Sequence, residues 1–516
     1  MKAETLWHQG LGISRDEWRL QLRNWGGWLV GLFFLVVVIS EHPAFTSLFG
    51  FSITKAANTW VDRAMVIGSF VTVLTVPFAL DRARRQCVAP IEFSKPFEKA
   101  AYVLGKFVGA GLPLVAVILL SLLMHFVITW VFIQNISFME VVTAYLKQAF
   151  FLMLVPLFYS VCLIYCLSVY ISRPVLIIPL YLFYIQMTSL TQAVANAKFS
   201  WWSPLIRPDF FSYEIPTAWI STIWLHQGLY LLLSVVALAL AVYGFQRRKF
   251  VDGQSSAKWW THIRFLLPEQ VGAKFRILWG GHIVAALIMA FFAVMNTLSN
   301  PETDPVYQAE YALFGLEFWL ALSGLLILVG VIARDKGIGV LDLVLSKPVN
   351  RWRLLWERLL PALTMFLLFC VFAVLILRAA YEQLPVLKAL IVSITTGVYL
   401  GLFGMTIANI TKSEVAGYGA GLVYWLFESG LDGRFTAPFY LFIVSNQVDN
   451  PATEIWQNPS IWLPVKIGSL FLCMWLFLIN GWLLDAGPAR RNAILLLVAS
   501  IPILFALGWW IMPMFV

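Results

Sequence analysis

Arg334-Asp335-Lys336-Gly337-Ile338-Gly339-Val340-Leu341-Asp342-Leu343-Val344-Leu345-Ser346-Lys347-Pro348-Val349-Asn350-Arg351-Trp352-Arg353 is a charged island between two apolar runs, near 316–333 and 359–380. Each run approaches the ~20 residues that carry a helix across a bilayer. Lipid offers the backbone no hydrogen-bond partners, so a run of this length crosses as a helix. Cations concentrated in a short segment between such runs mark the cytoplasmic side. The rest of the chain is of the same kind. Of its 516 residues 60% are hydrophobic and 12% charged, against about 25% charged in a soluble domain. No soluble packing of this size hides so much apolar surface. The fold class expected is an all-α polytopic membrane protein.

Outward from the island, spans fall near 25–40, 64–80, 107–133, 144–171, 174–195 and 223–244 in the first half. A second set lies near 279–299, 316–333, 359–380, 389–411, 414–432 and 461–484, and a last apolar run covers 493–512. With the N-terminus in the cytoplasm, 27 of the 36 Lys and Arg residues fall inside, which supports that orientation. The net charge of +9 belongs to these short segments, and no nucleic-acid partner is expected. Five cysteines, mostly within apolar runs, do not suit a disulfide framework. The first 24 residues carry Arg15, Arg19 and Arg23 and are too polar for the core of a signal peptide.

The chain repeats itself. Ser94-Lys95-Pro96 recurs as Ser346-Lys347-Pro348, 252 residues on. At that offset Arg82 meets Arg334, Arg84 meets Lys336, Lys99 meets Arg351 and Lys106 meets Arg358. Trp25-Gly26-Gly27 recurs as Trp279-Gly280-Gly281. The same order of signals in both halves points to duplication. Six crossings per half make the repeats parallel, related by an axis along the membrane normal. The expected division is a first six-helix repeat over 1–250, a second over 251–491 and an additional C-terminal helix over 492–516. That last run either crosses, giving thirteen spans, or forms a hairpin.

Before the first span, Trp18, Leu22 and Trp25 form an apolar stripe and Arg15, Arg19 and Arg23 a basic one. This predicts a helix in the cytoplasmic interface, with 268–278 in the same part in the second half. Within the island, Leu341, Val344 and Leu345 face one way, and Pro348 stops the turn. A short amphipathic helix projecting from the membrane suits docking to a soluble partner.

The run "RDKGIGVLDLVLSKPVNRWRLLWERLL" resembles the motif of type-2 ABC exporter permeases: a charged pair, a Gly, an apolar stretch, then Ser-x-Pro-x-x-Arg before the next span. The nearest branch is that of the multi-copper-enzyme-maturation-type permeases. The first-half copy, "DRARRQCVAPIEFSKPFEKAAYVLGK", keeps Ser94-Lys95-Pro96 but has Arg85 where Gly337 stands, and Pro90 within the helical stretch. The resemblance implies a fused pair of permease halves in a bacterial cytoplasmic membrane. It implies coupling to the ATPase through Arg82, Arg84, Ser94, Lys95, Pro96 and Lys99, and through Arg334, Lys336, Gly337, Ser346, Lys347, Pro348 and Arg351. ATP and Mg would then reside on a separate ABC ATPase subunit, in two copies. The chain has no G-x-x-x-x-G-K-[ST]: Gly105-Lys106 follows Ala100 where the motif needs Gly. No cofactor is expected in the chain itself.

The fifth and eleventh spans carry polar clusters, Gln186, Ser189 and Gln192, and Tyr418, Glu428 and Asp432. Such groups are costly in lipid unless they face protein or water. With a path between the repeats, which the resemblance also implies, they would line a translocation route for an amphiphilic substrate. For Glu428 and Asp432, simple contact with interfacial water is an equal alternative. Cys162 and Cys166, one turn apart, read as packing residues before metal ligands, and His125 as an interhelical hydrogen bond. The aromatic stretch 201–224 reads as interfacial or re-entrant. Two other classes compete. A lipid-linked glycosyltransferase would use Glu302-x-Asp304 in an outer loop. A proton-driven secondary transporter would need charged residues deep in the spans, which read as nearly free of them.

Overall fold

The computed structural model describes residues 2–22, parts of 31–46, 52–85, 98–133, 137–171, 174–194, 217–245, 282–298, 305–337, 350–431, 459–484 and 491–500. Among the described residues all regular structure is helical. Seven helices are long and apolar enough to cross a membrane, and four shorter apolar helices accompany them. The chain is an all-α polytopic membrane protein. It divides into two compact units, Met1–Ala257 and Lys258–Val516.

The first unit contains α1 (Lys2–Leu22), α2 (Pro43–Thr46), α3 (Ile53–Arg85), α4 (Lys99–Phe132), α5 (Phe138–Gln148), α6 (Leu154–Tyr170), α7 (Pro174–Val194) and α8 (Thr217–Gly244). The sequence predicts a Trp18/Leu22/Trp25 stripe as the apolar face of the N-terminal helix. The structure differs: α1 buries Ser14, Glu17 and Gln21 and leaves Arg15 and Arg19 exposed. The reason lies on α4. Gly105 and Gly109 lack the Cβ atoms that would strike Gly10, Ile13, Ser14 and Glu17, so the two backbones approach closely, as small-xxx-small surfaces allow. Glu17 then meets Lys106 at 2.8 Å, both withdrawn from solvent.

Helix α5 begins on a capping box, in which Ser137 Oγ accepts from the Glu140 N–H and the Glu140 carboxylate accepts from the Ser137 N–H. Between α5 and α6 the chain widens into a π turn, Ala149–Met153. Pro156 has no N–H to give Leu152, which removes one bond of the ordinary helical ladder. Gln227 Nε2 of α8 donates to the Phe151 carbonyl at 2.6 Å.

The second unit contains α9 (His282–Leu298), α10 (Pro305–Phe318), α11 (Leu320–Gly337), α12 (Arg351–Ala380), α13 (Val386–Thr411), α14 (Glu414–Leu431), α15 (Pro459–Leu483) and α16 (Arg491–Ser500). α11 and α13 pack at glycines, since a Cβ on Gly324 would enter the Gly397 carbonyl and one on Gly401 the Gly324 carbonyl. Lys412, in the left-handed conformation with φ 56° and ψ 30°, reverses the chain between α13 and α14. α16 places Ala493 against Ile479 and Leu483 of α15. The remainder of the run 493–512 lies outside the described residues.

Helix boundaries recur between the units. α3 runs Ile53–Arg85, and α10 with α11 runs Pro305–Gly337, each boundary 252 residues on. Lys99 and Arg351, at the same offset, both open a long helix. Segment 268–278, the island helix around Leu341 to Leu345 and the aromatic stretch up to residue 216 lie outside the described residues. The end of that stretch is helical and opens α8 at Thr217.

Candidate functional site

The expected coupling residues cluster at helix ends. Arg82 and Arg84 sit in the last turn of α3, and Arg334, Lys336 and Gly337 in the last turn of α11; their side chains are outside the described set. Ser94, Lys95, Pro96, Ser346, Lys347 and Pro348 also lie outside the described residues. Lys99 opens α4 and donates from Nζ to the Tyr243 carbonyl at 2.8 Å, tying that end of α4 to α8. Glu98, just before it, donates its N–H to Gln9 Oε1 at 3.1 Å, which ties α1 to the same point. Arg351 opens α12 behind an Asn350 cap that accepts from the Trp352 N–H, and its guanidinium carbon lies 5.7 Å from the Trp352 ring centre. Arg353 pairs with Glu357 one turn on at 3.0 Å and stays exposed.

Gln186, Ser189 and Gln192 belong to α7, with side chains outside the described set, and Asp432 falls beyond the described end of α14. Tyr418 is fully buried and shares a hydrogen bond of 2.9 Å with His282 Nδ1. Gly330 of α11 makes room for the His282 ring. Glu428 lies ten residues further along α14, about 15 Å at 1.5 Å per residue. Tyr418 and Glu428 therefore occupy separate sites in the bundle.

Around Glu428 the structure assembles a site that sequence reading missed. Tyr424, one turn before it, hydrogen-bonds Glu428, and Tyr399 of α13 donates to Tyr424 at 3.4 Å. One turn before Tyr399, Thr396 accepts a hydrogen bond from Lys466 Nζ at 2.9 Å. Lys466 stands 2.7 Å from Glu317, with the two side chains 1% and 0% exposed. Trp425 of α14 donates to the Phe318 carbonyl at 2.8 Å, which brings α14 to the same end of α10. The expectation of nearly charge-free spans is thus corrected. α10, α13, α14 and α15 bring two acids, one base and several hydroxyls into one buried cluster near one end of the second unit.

The signal was present in the sequence. Glu317 stands at the edge of the run 316–333 and Lys466 inside 461–484. Each looked like a boundary charge because periodicity does not reveal that the two face each other. At the opposite end, Asn409 donates to Asn480 at 2.6 Å and Asn480 to Thr406 at 2.8 Å, both asparagines buried.

In the first unit the buried groups at the equivalent end are neutral. His125 Nε2 meets the Val38 carbonyl at 2.8 Å and Nδ1 meets Tyr145 Oη at 3.3 Å, the interhelical bonding expected of it. His42 Nδ1 accepts from the Ala44 N–H, which fixes its proton on Nε2, 2.9 Å from Thr129 Oγ1. Cys162 and Cys166 are both buried within α6. No family model, curated protein or solved structure matches the chain.

Proposed function

We propose that the chain is the transmembrane permease subunit of an ATP-binding-cassette exporter, moving an amphiphilic substrate across the cytoplasmic membrane with separate ATPase subunits. The placement of the two basic segments carries this reading. One is framed by the end of α3 at Arg85 and the start of α4 at Lys99. The other is framed by the end of α11 at Gly337 and the start of α12 at Arg351. Two long helices that stop and restart at the same register hold a short cationic segment at one end of each unit. That is where a soluble motor has to grip a membrane partner. Two such segments suit two ATPase copies, which would hold ATP and Mg. Two parallel six-helix repeats, with the N-terminus inside, give both segments the same cytoplasmic side.

The buried Glu317–Lys466 pair favours a second reading, a secondary transporter, because intramembrane ionisable groups are functional by default. One experiment separates the two. The chain is purified from its native membrane in mild detergent, its partners are identified by mass spectrometry, and transport is followed in inverted vesicles. An ATPase partner and ATP-dependent transport support the exporter. Transport that proceeds without ATP and collapses with a protonophore supports the second reading.

A further inference from the structure

A polar cavity of about 350 Å³ opens beside α5, lined among the described residues by Thr54, Met139, Glu140, Thr143, Ala144, Lys147 and Gln148. It lies at the end of the first unit remote from the basic segment, where α3 begins and α4 ends. Gln148 is 3% exposed, and its side-chain oxygen meets no donor among the described residues. A buried acceptor of this kind is expensive, and here it lines the cavity. Gln148 is also the last residue before the π turn, a distortion that recurs at functional sites.

The other polar groups are mostly acceptors. Thr143 Oγ1 already donates to the Met139 carbonyl at 2.7 Å, which leaves its lone pairs for a ligand. Glu140 gives one carboxylate oxygen to the Ser137 N–H. Lys147 supplies a cation at the rim. Flanking this polar patch, Met139, Leu146 and Phe150 are more than half exposed, on a helix that reads as interfacial. Trp224 of α8 packs edge-on to Phe150.

From these features we infer that the cavity binds the headgroup of a zwitterionic phospholipid carrying a primary ammonium, phosphatidylethanolamine, with its acyl chains along Leu146 and Phe150. A primary ammonium brings three N–H donors to Gln148 Oε1, Thr143 and Glu140, and the lipid phosphate pairs with Lys147. Phosphatidylcholine offers the same charges but no N–H. Phosphatidylglycerol offers no cation for Glu140. The inference does not depend on how transport is energised.

The test uses the full chain, delipidated in detergent, with lipid binding read by native mass spectrometry. Short-chain phosphatidylethanolamine, phosphatidylcholine and phosphatidylglycerol are compared with free phosphoethanolamine. Phosphatidylethanolamine binds tightest, about tenfold over phosphatidylcholine, the loss expected when hydrogen bonds to a charged group go unmade. Gln148→Leu removes that preference while leaving phosphatidylcholine binding in place. Lys147→Glu, an exposed change, weakens phosphatidylethanolamine by a similar factor. Equal binding of the ethanolamine and choline lipids by the native chain overturns the site. So does unchanged phosphatidylethanolamine affinity in Lys147→Glu. Free phosphoethanolamine binding as tightly as the lipid overturns the lipid assignment.

Discussion

Glu317 and Lys466 are ions held 2.7 Å apart with almost no solvent, a position whose energetics depend on the pair remaining complete. Removing one partner leaves a buried charge and costs about 3–5 kcal/mol, whereas replacing both with apolar residues is often neutral. Lys466→Met and Glu317→Leu should each lower thermal stability in detergent, and the double variant should recover most of the loss. A double variant no better than either single change would show that the two side chains do not act as a pair. His42 offers a second test. Burial, with His125 beside it, pulls its imidazole down to about 3 from an ordinary 6.5. Between these values the unfolded chain holds a proton that the folded chain refuses, so stability falls as pH drops from about 6.5 toward 3. His42→Gln should make that slope shallower in a thermal-unfolding series, and an unchanged slope would remove His42 from the account. Neither site was fully legible in sequence. Lys466 was visible as a cation, but its partner lies 149 positions earlier in the chain, and only packing brings them together.

The N-terminal helix shows how pattern and packing diverge. Its existence and basic stripe are legible from the spacing of Arg15 and Arg19, but its buried face is not. The face is set by Gly105 and Gly109 on another helix, and by a carboxylate whose burial pays only because Lys106 meets it. Gly109→Leu should force α1 from α4. In a cysteine-free background, Ser14→Cys should resist water-soluble thiol reagents and become labelled when Gly109→Leu is added. Equal labelling with and without the leucine would contradict the close packing. The long helices, by contrast, were readable almost to their ends. The runs 389–411, 414–432 and 461–484 became Val386–Thr411, Glu414–Leu431 and Pro459–Leu483, because twenty apolar residues in lipid have one structure available. The π turn at Ala149–Met153 left no mark in hydropathy, since inserting one residue in a helix changes register and not composition.

Across the whole chain, the duplication in the sequence and the two compact units divide the molecule at nearly the same place, close to residue 250. The proposed path between repeats makes its own prediction for the fifth and eleventh spans. Cysteines placed through 183–192 and 417–432 should react with water-soluble reagents on one helical face each, and ATP with the ATPase should alter the pattern. Uniform protection would mean that both spans are packed or lipid-facing. Tyr418, held by His282, should be among the protected positions. The central claim is that the cationic segments grip an ATPase, and reversing their charge tests it most directly. Arg351 and Arg353 are changed to Glu together, and Lys95 and Lys99 likewise in the first copy, with membrane insertion checked by yield in the membrane fraction. The account predicts normal insertion and loss of ATPase co-purification, greater for the second copy, where Gly337 and Gly339 permit closer approach than Arg85 and Pro90. Undiminished co-purification in both sets of variants would contradict it.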